Sequence, residues 1–195
     1  METSNYSLSF TTGGLFLNEA LTLAGLYLDT DDWLFVQKTA LRDNLFQSRT
    51  LTTLKKLCNV NISRLKMLQK NELEFMLSCC RQEQAYMLWI AICRRYSFIA
   101  EFAVEVLREN FFTGKPDLTF DDFEMFFSRK SQWHPELDAI RSSTKKKLRQ
   151  VLFRILREAD LITKDNKIQP ALLSPEFIRI IRQGNAGEFA YFPLF

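Results

Sequence analysis

A chain of 195 residues with 47% hydrophobic residues and 18 Phe can bury a proper core, in one domain or in two small ones sharing an interface, which excludes a disordered tail. Only six Gly and five Pro leave little material for hairpins or flexible linkers, and this favours helices. The net charge of +3 is segregated: residues 42–70 carry seven Lys and Arg against one acid and residues 141–170 nine against three, so each block is +6, while residues 1–41 and 71–140 are −4 and −5. Two basic blocks between acidic ones point to a polyanion partner, because local fields steer ligands whereas net charge chiefly sets solubility. Ordinary solvated helix faces are the alternative for either block taken singly.

The first residues, METSNYSLSFTTGG, lack the basic start and apolar stretch of a secretory signal, so the expected location is the cytoplasm. After the Gly13-Gly14 turn, Leu15, Leu17, Leu21 and Leu28 recur at helical spacing. A second helix begins at Asp31 or Asp32, either of which can cap it, and turns Trp33, Val36, Ala40 and Leu41 inward. Ser48 or Thr50 caps a third, with Leu51, Leu54, Leu57 and Cys58 inward and Lys55 and Lys56 outward. A break at Asn59–Asn61 is expected, then a fourth helix with Ile62, Leu65 and Leu68 inward and Arg64, Lys66 and Lys70 on its polar arc. Two short helices with basic outer faces are compatible with helix-turn-helix packing.

From Glu83 to about Asn110 the chain is apolar nearly all round, as in helices buried on several sides, with Arg94-Arg95-Tyr96 at a bend or a buried polar contact. Arg94, Arg95, Glu101 and Glu105 interrupt this run well short of the about 20 apolar residues of a membrane span. The Thr113–Pro116 turn is the expected boundary between helical subdomains 1–113 and 114–195. Thr119 and Asp122 have the spacing of a capping box, and Phe120, Phe123, Phe126 and Phe127 read as a core stripe more than as a base-stacking surface.

His134, before Pro135, reads as a turn residue. Ser142, Ser143 or Thr144 caps a long helix to about Ala159, with Leu148, Val151, Leu152, Ile155 and Leu156 on one arc and Lys146, Lys147, Arg149, Arg154 and Arg157 over the rest. Leu161-Ile162, an Asp165-Asn166 turn and Ile168 then suggest a short β-hairpin over 161–170, flanked by Lys164 and Lys167, in the order of a recognition helix and its wing. A last helix starts near Pro175.

No phosphate loop, dinucleotide fingerprint, HExxH or nucleophile elbow is present, so no catalytic residue is assigned. The acids Asp117, Asp121, Asp122 and Glu124 match no calcium loop, and Cys58, Cys79, Cys80 and Cys93 lack metal-ligand spacing and read as reduced core residues. No metal, cofactor or small-molecule substrate is expected.

The stretches SFTTGGLFLNEALTLAGLYL (Ser9 to Leu28), LWIAICRRYSFIAEFAVEVLRE (Leu88 to Glu109), WHPELD (Trp133 to Asp138), STKKKLRQVLFRILREADLI (Ser143 to Ile162) and PALLSP (Pro170 to Pro175) together resemble the BrxA family of the BREX bacteriophage-exclusion systems. The resemblance covers nearly the whole chain. It implies an all-α fold of helical subdomains similar to the RNA-binding antitermination factor NusB, and DNA binding in support of a multi-protein defence system. It carries no catalytic motif. With the charge pattern, it leads to an expectation of double-stranded DNA bound mainly through phosphates by Lys55, Lys56, Arg64 and Lys66 and by Lys146, Lys147, Arg149, Arg154 and Lys164. The alternatives are an adaptor docking acidic surfaces of other BREX proteins, and RNA binding.

Overall fold

The computed structural model describes residues 5–11 and 13–194, and among these the regular structure is helical, with only isolated β-bridges beside it. The fold is all-α. It divides into two compact units, one spanning Phe16–Arg95 and the other combining the stretch up to Leu15 with the stretch from Tyr96 onward.

The Phe16–Arg95 unit holds α1 (Leu17–Thr30), α2 (Trp33–Arg42), α3 (Leu51–Leu65), α4 (Lys70–Ser78) and α5 (Arg81–Arg95). Left-handed residues at Phe16 (φ 59°) and Asp31 (φ 52°) bound α1, and Asp32 caps α2 by accepting the Leu34 N–H at 2.7 Å. Thr50 caps α3. That helix then runs unbroken through Asn59–Asn61, which corrects the expectation of two short helices there. Asn61 is wholly buried with Nδ2 donating to the Leu57 carbonyl at 2.9 Å, and Asn59 accepts from Gln37 of α2 at 2.7 Å. Both side chains thus bond in ways that leave the helical ladder intact. No helix-turn-helix is formed over 48–70.

α5 is enclosed, every residue from Ala85 to Cys93 being buried, and α1 packs against all four other helices. At the end of α5, Arg94 meets Glu72 of α4 through two hydrogen bonds of 2.6 Å and also donates to the Met67 carbonyl at 2.8 Å. Tyr96, in an extended conformation, ends the helix. The expected bend and the expected buried polar contact are both there. Cys58 and Cys93 lie in the core, but Cys79 is half-buried and Cys80 exposed, because they form the junction between α4 and α5 instead of an inward face. Among the described residues no helix is long and apolar enough to cross a membrane.

The second unit begins its helical part with α6 (Ser97–Phe102), a π-turn (Ala103–Arg108) and α7 (Glu109–Phe112). There follow α8 (Phe120–Ser131), α9 (Pro135–Asp138), α10 (Ser142–Glu158), α11 (Pro175–Gly184) and a 3-10 turn (Ala186–Tyr191). The core is aromatic: Phe98 and Phe102 meet the Phe126 ring edge-on at 5.1 and 5.3 Å. Phe123, Phe126 and Phe127 are buried as expected of a core stripe, while Phe120 is 46% exposed.

The N-terminal stretch belongs to this core. Phe10 is fully buried against Tyr96 and Phe98. Tyr6 stacks on His134 at 3.9 Å, donates its hydroxyl to Glu101 at 2.6 Å and donates its backbone N–H to Glu136 at 2.8 Å. Burial, reinforced by the Glu101 carboxylate, pushes the Tyr6 hydroxyl far above the ordinary phenol range. The units accordingly part at Leu15 and Arg95, not at the Gly114 turn expected from local punctuation, because these aromatic anchors tie the start of the chain to residues beyond Tyr96.

The capping box on α8 is formed. Thr119 Oγ1 accepts the Asp122 N–H at 3.2 Å, and Asp122 Oδ2 accepts the Thr119 N–H at 2.7 Å. Burial alone would raise the Asp122 carboxyl, but Lys115 and the two Thr119 donors outweigh it and hold the group below its ordinary value. With a depressed folded value, Asp122 contributes stability in full above its unfolded pKa of about 3.9 and loses it as pH falls through the folded value. Asp122→Ala is expected to cost about 1–3 kcal/mol in urea unfolding at neutral pH. The difference from the parent protein should vanish at acid pH.

Candidate nucleic-acid interface

In α10 the 3.6-residue repeat separates two faces. Leu148, Val151, Leu152, Ile155 and Leu156 are buried, and Ser143, Lys146, Lys147, Gln150 and Arg154 are exposed on the opposite arc. No side chain caps the helix start at Arg141, so the serines and threonine expected as caps lie inside its first turn. Its end is a reversal at Ala159–Asp160, with Asp160 left-handed at φ 52°.

The chain then doubles back as the expected hairpin. Ile162 bridges Ile168, Thr163 N–H donates to the Lys167 carbonyl at 2.8 Å, and Gln169 N–H donates to the Leu161 carbonyl at 2.9 Å. A turn over 163–166 closes it, with Asn166 left-handed at φ 63°. A third segment joins its edge: Asp117 bridges Lys167, Ile168 N–H donates to the Pro116 carbonyl at 2.7 Å, and Leu118 N–H donates to the Asn166 carbonyl at 2.9 Å. Arg157 fastens the tip to α10 by donating to Asn166 Oδ1 at 2.9 Å.

The nine expected phosphate-binding residues fare differently. Lys146, Lys147 and Lys164 are exposed and make no ion pair among the described residues. Arg154 is exposed too, but Glu158 holds its Nε at 2.7 Å. Arg149 turns inward: its guanidinium meets Glu124 of α8 at 2.7 Å and lies 4.5 Å over the Phe120 ring, so it joins α10 to α8 and is removed from the outer face. Lys145 does the same with Glu124 and the Phe127 ring. In the Phe16–Arg95 unit, Lys55, Lys56 and Lys66 are exposed. Arg64 is wholly buried, its guanidinium 5.9 Å from the Phe16 ring, and is withdrawn from any phosphate.

Lys167 at the hairpin and Gln150 on the outer arc of α10 belong to the same surface features and were not among the expected nine. Gln150 was findable, since it sits at i+3 and i+4 from the two lysines. Burying the apolar arc makes the outer set follow.

Glu158 links this helix to the N-terminal stretch: while Oε1 holds Arg154, Oε2 accepts the Leu15 N–H at 2.6 Å. A Cβ on Gly14 would lie 2.2 Å from Glu158 Oε2 and 2.9 Å from Arg154 Nε. Gly14→Ala is therefore expected to push the carboxylate off Leu15 and to lower stability by about 1–3 kcal/mol, read as a fall in the urea midpoint.

Comparison with known proteins agrees with the helical architecture. The chain is 30% identical over 151 residues to a BREX protein BrxA of Bacillus cereus (strain H3081.97), covering 75% of each chain. It is 23% identical over 190 residues to a BREX protein BrxA of Paramagnetospirillum magneticum (strain ATCC 700264 / AMB-1), covering 95% of this chain and 94% of the relative. The crystal structure of an uncharacterized protein from Magnetospirillum magneticum superposes with a TM-score of 0.81 at 22% identity, covering 98% of this chain and 99% of that one. The BrxA family profile matches residues 4–185, and the chain belongs to the BrxA family.

Proposed function

We propose that this protein is a non-catalytic, DNA-binding component of a BREX phage-defence system, and that α10 and its hairpin act as recognition helix and wing on duplex DNA. The observation that carries the reading is selective neutralisation. Where α10 faces α8, its cations are matched by Glu124, whereas Lys146, Lys147, Lys164 and Lys167 stand on exposed positions without carboxylate partners among the described residues. Cations left without carboxylate partners on one exposed arc remain available to phosphates, whose neutralisation releases counterions.

The geometry suits the task. An exposed helix arc of the sequence Ser143, Lys146, Lys147, Gln150 and Arg154 can lie in a major groove, with the Lys164 turn reaching the adjacent backbone. Phosphate contacts fix position and carry no sequence information, so preference among sequences should be weak, with Gln150 the uncharged side chain suited to a base edge. Lys55, Lys56 and Lys66 offer a second set of backbone contacts on the Phe16–Arg95 unit.

The test is a salt titration of binding to a duplex of mixed sequence. The four lysines of α10 and its hairpin by themselves predict a slope of about −3.6 in log affinity against log salt, at about −0.9 per contact, and the second set would steepen it. Affinity that does not change between low and physiological salt would refute the reading. Preference for structured RNA over duplex in direct competition would transfer it to RNA. Failure to bind either polymer while other BREX proteins co-purify would make the chain an adaptor.

A further inference from the structure

We infer that Arg154 reads a guanine edge in the major groove and that Glu158 is the positioning residue that holds it ready; this deepens the duplex reading of α10 and rests on it. Among the exposed cations of α10, Arg154 is held differently from Lys146 and Lys147. Its Nε donates to Glu158 Oε1 at 2.7 Å, and its two terminal nitrogens have no partner among the described residues, on a side chain 58% exposed. The carboxylate is itself fixed: Oε2 accepts the Leu15 N–H at 2.6 Å, and the backbone at Gly14 approaches so closely that no Cβ fits beside it. Helix stability does not call for this acid. A carboxylate in the last turn of a 17-residue helix opposes the helix dipole, and an arginine four residues before a glutamate is the weaker order for such a pair.

The pairing decides what Arg154 can bind. Its charge is already answered, and a phosphate brought to it would meet the Glu158 carboxylate, so a backbone contact there releases few counterions. Its directional donors remain. With Nε taken, the two terminal nitrogens form a planar fork that matches O6 and N7 of guanine, two uncharged acceptors on one major-groove edge. Lys146 and Lys147 have no such fork and contribute charge. Because Glu158 holds the guanidinium before DNA arrives, less side-chain freedom is lost on binding. Gln150 lies one turn earlier on the same exposed arc, and its amide is suited to adenine, so a guanine preference belongs to Arg154. The preference is confined to one base pair and adds to an affinity that phosphates dominate.

Selection by the full chain from duplexes with a randomised centre locates the position, and a duplex carrying 7-deazaguanine there, which lacks the N7 acceptor, tests the contact. The parent should enrich guanine at one position and bind the guanine duplex at least about fivefold more tightly than the 7-deazaguanine duplex. The ratio between the two duplexes is the readout. Arg154→Lys keeps the charge and should bring the ratio close to one. Glu158→Gln keeps an acceptor for the Leu15 N–H but not one for Arg154 as well; it should lower the ratio while binding duplex no more weakly than the parent, since a negative charge has left the surface. Circular dichroism confirms that each variant is folded, and a merely structural loss would weaken both duplexes together. A parent that binds duplex with the expected salt slope but enriches no guanine, or a folded Arg154→Lys that keeps the parent ratio, overturns the inference and leaves the DNA reading standing. A folded Glu158→Gln that keeps the ratio overturns the role of Glu158. A parent that binds no duplex at any salt overturns both readings.

Discussion

Lys146→Glu with Lys147→Glu is expected to weaken duplex binding by about a hundredfold or more at physiological salt and to reduce the salt slope by about 0.9 for each phosphate no longer neutralised. Both side chains stand on the exposed arc of α10 without ion-pair partners among the described residues, so their reversal should change folding stability by no more than about 0.5 kcal/mol. Arg149→Gln is the matched control. Although it sits in the same basic run, Arg149 is bound to Glu124 and covers Phe120, so this variant should lower the unfolding midpoint while leaving the salt slope close to that of the parent. Fluorescence anisotropy across a salt series separates the two. Equal slopes for the double variant and the parent would remove α10 from the interface.

Glu72→Ala should strongly destabilise the Phe16–Arg95 unit. The Glu72 side chain is 1% exposed and accepts from both terminal nitrogens of Arg94 and from the Gln69 N–H. Its removal takes this carboxylate away from a guanidinium that is only 16% exposed, and breaking such a buried pair from one side costs about 3–5 kcal/mol. That is a large share of the about 5–15 kcal/mol by which a folded domain exceeds its unfolded state. Urea unfolding measures it. Glu72→Leu combined with Arg94→Met should lose less than Glu72→Ala alone, because both members of the buried pair are then replaced by apolar groups; an equal or larger loss would show that shape, and not the pair, dominates the site.

Much of the helical plan was legible because it depends on local chemistry. Asp32, Thr50 and Thr119 cap the helices expected of them, and the apolar arc of α10 was readable from its 3.6-residue repeat. The hairpin after α10 was readable from an apolar pair, a turn and a second apolar residue. What was not legible is which cation points where. Arg64 and Arg149 have the same composition signature as Lys146, but one is buried near Phe16 and the other is claimed by Glu124, 25 residues away in sequence. Asparagines at 59–61 suggest a break by propensity, yet packing against α2 and a side-chain bond to Leu57 override it. The subdomain boundary was hidden for a similar reason: Tyr6 and Phe10 find their partners about ninety residues downstream, a distance over which local punctuation carries no information.

That discontinuity has a consequence for synthesis. The ribosome delivers the whole Phe16–Arg95 unit before Tyr96, Phe98 and Glu101 exist, so the five helices can fold as they emerge, while Tyr6, Phe10 and Leu15 wait without the surfaces that later enclose them. At about 5–20 residues per second the wait lasts several seconds or more, with the apolar side chains that precede the Phe16–Arg95 unit open to chaperones. The unit carrying α10 can close only late, when both of its separated pieces are present. A premature stop at Arg95 would therefore leave Phe10 and Tyr6 without the aromatic and carboxylate partners that hold them, a species suited to rapid clearance.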